Sequence, residues 1–186
     1  MRQRTSSLRR LAVTLLVAVG AFAALSASAA QAAPTPQQLY KALLKAPKAS
    51  TLPSALSGAT TKAQTLSAGS KKHHAVGAVE IGNTAAIVGF LIFPTHALAL
   101  ADLKAFPPNV GPNKVLTRTP ADLPRPAYIL RANGNGYVAV YAVFVLDNVI
   151  VDAWTYGQKG SDSQIRSIVQ KNALWAKSYG LGLMHG

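Results

Sequence analysis

The stretch VFVLDNVIVDAWTYG, residues 143–157, holds two apolar runs on either side of Asp147-Asn148. Asp and Asn favour tight turns, and two strand-forming runs joined by such a pair are typical of a β-hairpin. In this hairpin Leu146 pairs with Val149, and the pairing continues outward from there. Because side chains alternate across a strand, this one register assigns every residue of the hairpin to one of two sheet faces.

The two faces of this hairpin differ in character. One is smooth and apolar, so we expect it to pack against helices; it collects Val138, Val140, Ala142, Phe144, Leu146, Val149, Val151 and Ala153. The other is aromatic and carries one acid, and its candidate binding residues are Tyr137, Tyr141, Asp152, Trp154 and Tyr156. Exposed aromatic patches usually mark interfaces, so this face is the predicted binding surface. In the alternative, the N-terminal helix or the loop of residues 107–126 covers it, and the aromatic residues form a second core.

The chain before this hairpin predicts a helix, a second hairpin and another helix. Residues 35–46 predict a short helix whose N-terminus is closed by a capping box of Thr35 and Gln38. Two apolar runs surround Gly82-Asn83, a pair that tolerates the backbone of a tight turn. A helix with Thr95 as its N-cap follows these two strands.

A strand and a final helix complete the predicted domain. The strand covers residues 127–132, and the helix begins with a capping box of Ser161 and Gln164 and ends at Gly180. The order hairpin, helix, strand, hairpin, helix predicts an α+β domain with an antiparallel sheet of about five strands. We interpret it as a degenerate ββα repeat with the helices packed on one face of the sheet, preceded by a short N-terminal helix and a linker.

Residues 1–32 have the three parts of a secretory signal peptide. Four arginines precede the apolar run of residues 11–25, and Ala30-Gln31-Ala32 offers a cleavage site. The run is shorter than the about 20 apolar residues that a membrane span needs. We therefore expect a secreted protein with no membrane span after cleavage, organised as a signal peptide at 1–32, a basic helix and flexible linker at 33–72, and an α+β domain at 73–186.

The chain contains no cysteine, which excludes disulfides and thiolate chemistry. The Ala-rich leader and mature chain, mainly the leader, make the sequence similar in composition to small secreted proteins of actinobacteria. That resemblance is compositional and implies no activity.

Basic residues concentrate near the start of the mature chain. Four of the 19 basic residues lie in the leader, and six of the other 15 are Lys41, Lys45, Lys48, Lys62, Lys71 and Lys72, in a segment without acids. Such a segment is attracted to anionic cell-wall polymers, phospholipid or nucleic acid, unless it is only a solvated linker. It contains no arginine and one aromatic residue, Tyr40, so we expect no dedicated nucleic-acid binding.

Few residues have the spacing of a catalytic or metal site. If Glu80 of the first hairpin and Asp152 both point away from the helices, they share one face of the sheet. Two carboxylates about 5 to 10 Å apart can hydrolyse a glycosidic bond. In the alternative, both are polar residues on a solvated face, and Asp147 only forms the turn. Adjacent histidines, such as His73-His74, point to opposite sides of an extended chain, so we expect neither a metal nor a cofactor.

The preferred interpretation is a secreted, non-enzymatic binding module that acts outside the cell through its aromatic sheet face. Its partner would be a protein, a cell-wall glycan or a second copy of the chain. One alternative is a hydrolase of wall polysaccharide that uses Glu80 and Asp152. Another is a protein that its lysine-rich segment retains on anionic wall polymers.

Overall fold

A computed structural model describes residues 33–105, 114–117, 120–134, 137–156 and 161–185; for 105, 114–117, 132–134, 137–138 and 162 it describes the backbone alone. The predicted signal peptide lies outside the described residues. The chain from Ala33 onward forms one compact unit. Its elements are α1 (Pro36–Leu43), β1 (Thr60–Gln64), α2 (Ala68–Lys72), β2 (Gly77–Gly82), β3 (Ala86–Ile92), α3 (His96–Ala105), β4 (Lys114–Thr117), β5 (Ala127–Gly134), β6 (Tyr137–Leu146), β7 (Val149–Tyr156) and α4 (Asp162–His185).

The seven described strands form one antiparallel sheet in the order β1-β2-β3-β7-β6-β5-β4. Two meanders, β1 to β3 and β4 to β7, therefore meet where β3 pairs with β7. The predicted α+β class is confirmed, whereas the sheet has seven described strands rather than the expected five or so. Within the described part of the chain, none of the helices combines the length and the hydropathy that crossing a bilayer requires.

The hairpin predicted at Asp147-Asn148 is confirmed, with Leu146 opposite Val149. Asp147 has a φ of 50°, in the left-handed region that Asp and Asn occupy more readily than most residues. The Asn148 side-chain amide donates to the Phe93 carbonyl at 2.6 Å, which ties the turn to the end of β3. Asp147 therefore serves the turn, as the sequence predicts.

The smooth face of the sheet packs against α1 and α4. Phe144 and Val151 are fully buried there, in one cluster with Leu43 of α1 and Ala173 of α4. This face behaves as the alternation of apolar residues in the sequence predicts, because one hairpin register places all of its members together.

The aromatic face is covered as well, so the prediction of helices on one face only is wrong. Ala99 and Leu103 of α3 pack there with Tyr141, Val143 and Ile150. The N-terminal helix, one of the two alternatives, packs on the smooth face instead; the other, the loop of residues 107–126, lies partly outside the described residues. Because valine and isoleucine also lie on this face, leaving it open would expose a large apolar area to water.

The interpretation of residues 48–72 as a flexible linker is also wrong. Leu56 is fully buried, β1 pairs with β2, and α2 brings Ser70 into the interior. A second unexpected strand, β4, lies within the proline-rich stretch of residues 107–126. Both are edge strands, which are stabilised by main-chain pairing on one side and accept polar sequences. Their sequences therefore carry little of the apolar alternation that reveals central strands.

Both predicted capping boxes are present. The Thr35 N–H donates to Gln38 Oε1 at 2.8 Å, and the Ser161 N–H donates to Gln164 Oε1 at 2.9 Å. Thr95 also caps α3, because its hydroxyl accepts from the Leu98 N–H at 3.3 Å. These local signals place three helix starts correctly.

Two glycine-based predictions need correction. The first hairpin turns at residues 83–85 rather than at Gly82-Asn83, because the Asn83 side chain accepts from the Ala85 and Ala86 N–H groups at 2.8 and 2.9 Å. Gly180 does not end α4, which continues to its last residue, His185. A Cβ at Gly180 would lie 2.8 Å from Leu146 Cδ2, so this glycine permits close packing of α4 on the sheet.

Candidate functional site

A cleft opens on the aromatic face, between the strands and a roof formed by residues 64–70 and α3. It consists of two adjoining cavities of about 230 and 300 Å³, which share Asp152 and Trp154 on their floor. Leu103 borders the smaller cavity, which we call the inner cavity, and Glu80 borders the larger one. We call the whole site the Asp152 cleft, since this side chain lies in both cavities.

Asp152 is held on the cleft floor by its neighbours on the sheet. It lies opposite Gly89 in the β3–β7 register, and its Oδ1 accepts from the Gly89 N–H at 3.0 Å. A Cβ at residue 89 would overlap with the Asp152 carboxylate, so the absent side chain makes room for the acid. The sequence contains this glycine, but only the pairing of β3 with β7 shows what it accommodates.

Burial raises the pKa of Asp152 from its ordinary 3.8 to about 6. Desolvation is the largest cause, and repulsion from Glu80 adds to it, whereas hydrogen bonds from the Gly89 N–H and the Trp154 side chain lower the pKa. Near neutral pH the carboxylate is mostly charged in a site that opposes its charge. Such a group favours any ligand that brings a compensating positive charge.

Three aromatic rings stand side by side next to this acid. Tyr141 and Trp154 are cross-strand partners whose ring centroids lie 3.9 Å apart, with an interplanar angle of 13°. Tyr156 stacks beside Trp154 at 6.0 Å and 7°. Tyr141 is only 1% exposed, whereas Trp154 and Tyr156 are partly exposed and line the cleft. The aromatic face is therefore not a flat open patch: all three rings border the cleft, and Tyr141 is buried there.

The Tyr141 hydroxyl has no hydrogen-bond partner among the described residues, although it is buried. Burial, followed by repulsion from Asp152, raises the pKa of this phenol to about 12, so it stays protonated. Leaving a buried hydroxyl unpaired costs about 1 to 3 kcal/mol. Tyr141 also lines the inner cavity. Its hydroxyl can both donate and accept a hydrogen bond, and it does neither within the described residues.

Glu80 lies in the same cleft and on the same sheet face as Asp152, with Gly89 between them in register. Two strand spacings separate their backbones by about 9 to 10 Å. The Glu80 carboxylate is engaged on the side away from Asp152: Lys62 Nζ lies 2.9 Å from its Oε1, and the Gln64 amide donates to its Oε2 at 2.7 Å. The two carboxylates therefore share a face and a cleft, but Glu80 leans toward β1.

Asp102 is a third acid in the cleft, and sequence reasoning did not single it out. His73 Nδ1 lies 2.9 Å from its Oδ1, and the Ser70 hydroxyl donates to its Oδ2 at 3.5 Å. Ser67 Oγ lies 2.8 Å from Ser70 Oγ. In a hydrolytic triad the histidine stands between the serine and the acid, whereas here both contact the acid. The cluster thus joins α2 to α3 and shapes the cleft roof rather than activating a serine.

The remaining predicted residues are distributed outside this cleft. Tyr137 begins β6, and its side chain lies outside the described residues. The six lysines from Lys41 to Lys72 are all exposed. His73 and His74 do not act as a pair, because His73 contacts Asp102 while His74 is exposed with a φ of 58°. A larger depression of about 500 Å³ borders Pro120 and α4, on the opposite side of the sheet from Asp152, and carries no such acid cluster among its described residues.

Comparison with known proteins shows the fold only. No protein-family profile matches this chain, and no curated protein matches it in sequence. A solved structure with a similar fold is the crystal structure of the extracellular domain of PknH from Mycobacterium tuberculosis, with a TM-score of 0.50 and 12% sequence identity. The alignment covers 81% of this chain and 98% of that chain.

Proposed function

We propose that this chain is an exported, non-enzymatic binding module that holds its ligand in the Asp152 cleft, outside the cell. The main observation behind this proposal is that Trp154, Tyr156 and three of the chain's six acids line one concave site on the sheet. Ligand sites are usually concave and largely apolar, with a few placed polar groups. The concave shape favours a small ligand, or the end group of a wall polymer, over the flat surface of a protein partner.

Two observations support export. The leader of residues 1–32 has the composition of a signal peptide, and the fold is similar to that of an extracellular domain, that of PknH. Mass spectrometry of the protein recovered from culture fluid tests this proposal. We expect a mature chain that begins at Ala33; an intact Met1 found only inside the cell would contradict export.

The arrangement of polar groups supports binding over catalysis. Ser70 contacts Asp102 rather than His73, so no activated serine is assembled. Glu80 is already engaged by Lys62 and Gln64. These contacts hold the cleft in one shape, which suits a preorganised binding site.

Native mass spectrometry tests ligand binding. Residues 33–186 contain all described elements and both core clusters, so this segment is the one to purify. After incubation with culture fluid and a digest of the producer's cell wall, we expect a discrete bound mass. Trp154→Ser should abolish it, whereas Trp175→Ser should keep it, because Trp175 stacks on Tyr179 of α4, outside the cleft. Equal binding by both variants, or none by the unchanged chain, would contradict the proposal.

A hydrolase remains the second candidate, for one specific reason. Asp152 has the raised pKa of a general acid, and Glu80 supplies a second carboxylate in the same cleft. Release of reducing sugars from purified wall polysaccharide, lost on both Asp152→Asn and Glu80→Gln, would favour hydrolysis over binding. We expect no release by the unchanged chain.

Retention on anionic polymers is a third proposal that the same material can test. All six predicted lysines are exposed, and Lys62 alone among them forms a described salt bridge. Because residues 33–72 contribute β1, deleting them would damage the sheet. Replacing Lys41, Lys45 and Lys48 by Gln is the suitable variant, and its loss of salt-sensitive retention on wall fragments would support this role.

A further inference from the structure

We infer that the Asp152 cleft binds a ligand in which a protonated amine is attached to a compact apolar body. The inference rests on the proposed binding function and names the chemical class of its ligand. Its first support is the sign of the charge. Glu80, Asp102 and Asp152 line the cleft, and none of the described lining residues is Lys, Arg or His. This composition is the reverse of that of residues 33–186 as a whole, where 15 basic residues outnumber six acids.

Asp152 is the acid with free capacity for such a ligand. Glu80 pairs with Lys62 and Asp102 with His73, whereas Asp152 is bonded by the Gly89 N–H and the Trp154 side chain and makes no salt bridge within the described part of the chain. A carboxylate offers about four acceptor positions, so an ammonium group could occupy those that remain. That contact would supply the positive charge that the fold does not provide.

The Tyr141 hydroxyl is the second, independent observation. Its side chain is buried and lines the inner cavity, and the hydroxyl has no partner among the described residues. Buried polar groups are nearly always hydrogen-bonded, so an unpaired one that lines a cavity points to a missing ligand. An ammonium group has three donors, and the phenol oxygen can accept one while Asp152 accepts another.

The rest of the cavity determines the body of the ligand. Leu91, Leu103 and Ile150 line the inner cavity of about 230 Å³, which lies below the usual range of drug-sized ligand sites. A compact aliphatic or aromatic group fits such a lining better than a polyhydroxylated chain, which would bury hydroxyls against leucine. Carboxylates and phosphates are disfavoured by the three acids.

Three probes of nearly equal shape distinguish the charge classes. Cyclohexylmethylamine, cyclohexylmethanol and cyclohexanecarboxylate carry a cation, a neutral hydroxyl and an anion on the same apolar ring. The chain has two tryptophans, so in the Trp175→Phe protein the fluorescence comes from Trp154 on the cleft floor. We expect saturable quenching or enhancement by the amine at pH 7.5, and at least about tenfold weaker binding of the alcohol and the carboxylate. The Trp154→Phe protein, which reports from Trp175, should show no change.

Variants assign the effect to the two groups. Asp152→Asn should weaken binding of the amine by about tenfold or more, whereas Asp122→Asn removes the same charge from an exposed position and should change nothing. Tyr141→Phe removes only the unpaired hydroxyl and should weaken binding by a few-fold. It keeps the inference testable even if the Asp152 variant unfolds, because the deleted atom makes no hydrogen bond within the described residues.

The pH dependence gives a readout that a merely structural role would not produce. Binding of the amine should strengthen as the pH rises from 5 to 7, because Asp152 loses its proton with a pKa of about 6. Glu80 of β2, Asp102 of α3, Tyr141 of β6 and Tyr156 of β7 also face this site, with Lys62 and His73 paired behind them. The profile should therefore flatten in Asp152→Asn and persist in Asp122→Asn.

Several outcomes would overturn the inference. Equal affinity for the amine and the alcohol would show an apolar pocket without charge selection, and preference for the carboxylate would reverse the sign. If none of the three probes binds at millimolar concentration while the Trp154-dependent bound mass persists, the amine inference fails and the proposed binding function stands. If neither probe binding nor the Trp154-dependent bound mass is found, the amine inference and the proposed binding function both fail.

Discussion

Helix α4 packs along one face of the sheet for 24 residues, whereas α3 covers the other face for only 10. At 1.5 Å per residue these lengths are about 36 and 15 Å, and a 10-residue strand such as β6 extends for about 33 Å. The long helix therefore spans its face, and the short one leaves part of its face to loops. The Asp152 cleft lies where residues 64–70 and the end of α3 together form its roof.

Two buried hydroxyls on neighbouring strands, one on each face, differ in their hydrogen bonding. On the face toward α4, Thr155 is 1% exposed and its hydroxyl donates to the Val140 carbonyl at 3.1 Å. On the face toward α3, Tyr141 is equally buried and its hydroxyl is unpaired within the described residues. Asn172 of α4 is also buried without a described partner, but it lies outside the cleft. The hydroxyl of Thr61 of β1, in register with Ile81, is likewise buried and unpaired within the described residues on the α4 face. What distinguishes Tyr141 is that its unpaired hydroxyl belongs to a residue that lines a cavity.

The largest expected effect comes from matched leucines on the two faces. Leu146→Ala should lower the free energy of unfolding by about 3 to 5 kcal/mol, because Leu146 is 5% exposed and packs on Gly180 of α4. Leu91→Ala should cost about 1 to 2 kcal/mol, since Leu91 already borders a cavity and loses fewer contacts. Urea unfolding followed by circular dichroism measures both. Equal losses would remove the distinction between the faces.

Asp152→Asn should stabilise the protein in a pH-dependent manner. The folded-state pKa of about 6 lies above the ordinary 3.8, so charging Asp152 destabilises the fold. The penalty is absent below about pH 4, grows between pH 4 and 6 and is complete above pH 6, where it amounts to at most about 3 kcal/mol. The variant should therefore be more stable than the unchanged chain at pH 8 and equal to it at pH 3.5.

Urea unfolding at pH 3.5, 6 and 8 measures this difference, with Asp122→Asn as the control at an exposed acid. The control should show no gain at any pH. A gain that is the same at all three values would mean that the amide improves packing and that the charge of Asp152 is not the cause.

Gly89→Ala should lower the free energy of unfolding by about 1 to 3 kcal/mol, because the added methyl group overlaps with the Asp152 carboxylate. The double variant Gly89→Ala/Asp152→Ala should recover part of this loss, since the overlapping group is gone. Gly182→Ala on α4 meets nothing within 4 Å and should stabilise the helix by about 0.5 to 1 kcal/mol. Additive losses in the double variant would place the strain elsewhere.

The smallest effect contrasts the two buried hydroxyls. Thr155→Val should cost about 1 kcal/mol, because it removes a donor and leaves the Val140 carbonyl with one partner fewer. Tyr141→Phe should cost nothing or stabilise the fold by up to about 1 kcal/mol, since its hydroxyl is unpaired. Thermal unfolding without added ligand shows whether each variant is less or more stable than the unchanged chain. A clear loss of stability in Tyr141→Phe would mean that the hydroxyl has a structural partner.

Local sequence signals predicted the central hairpin and the starts of three helices. Asp147-Asn148 is a turn because of the backbone conformations that these residues accept, and Thr35 and Ser161 cap helices through bonds to residues three positions later. Such interactions join neighbours in the chain, so their residue types and spacing are visible in the sequence. The alternation of the hairpin likewise places Tyr141, Asp152, Trp154 and Tyr156 on one face, whichever strands pair with it.

Pairing between distant segments decided the rest. The contact of β3 with β7 brings Gly89 opposite Asp152, and the packing of α2 and α3 on that face adds Ser70 and Asp102 to the cleft. The sequence by itself determined the α+β class and which side chains share a face, because both follow from local periodicity. Only the tertiary structure decided that the aromatic face is covered, that Tyr141 is buried, and that three acids meet in one cleft. Those facts depend on the length of α3 and on long-range strand order, which side-chain alternation does not encode.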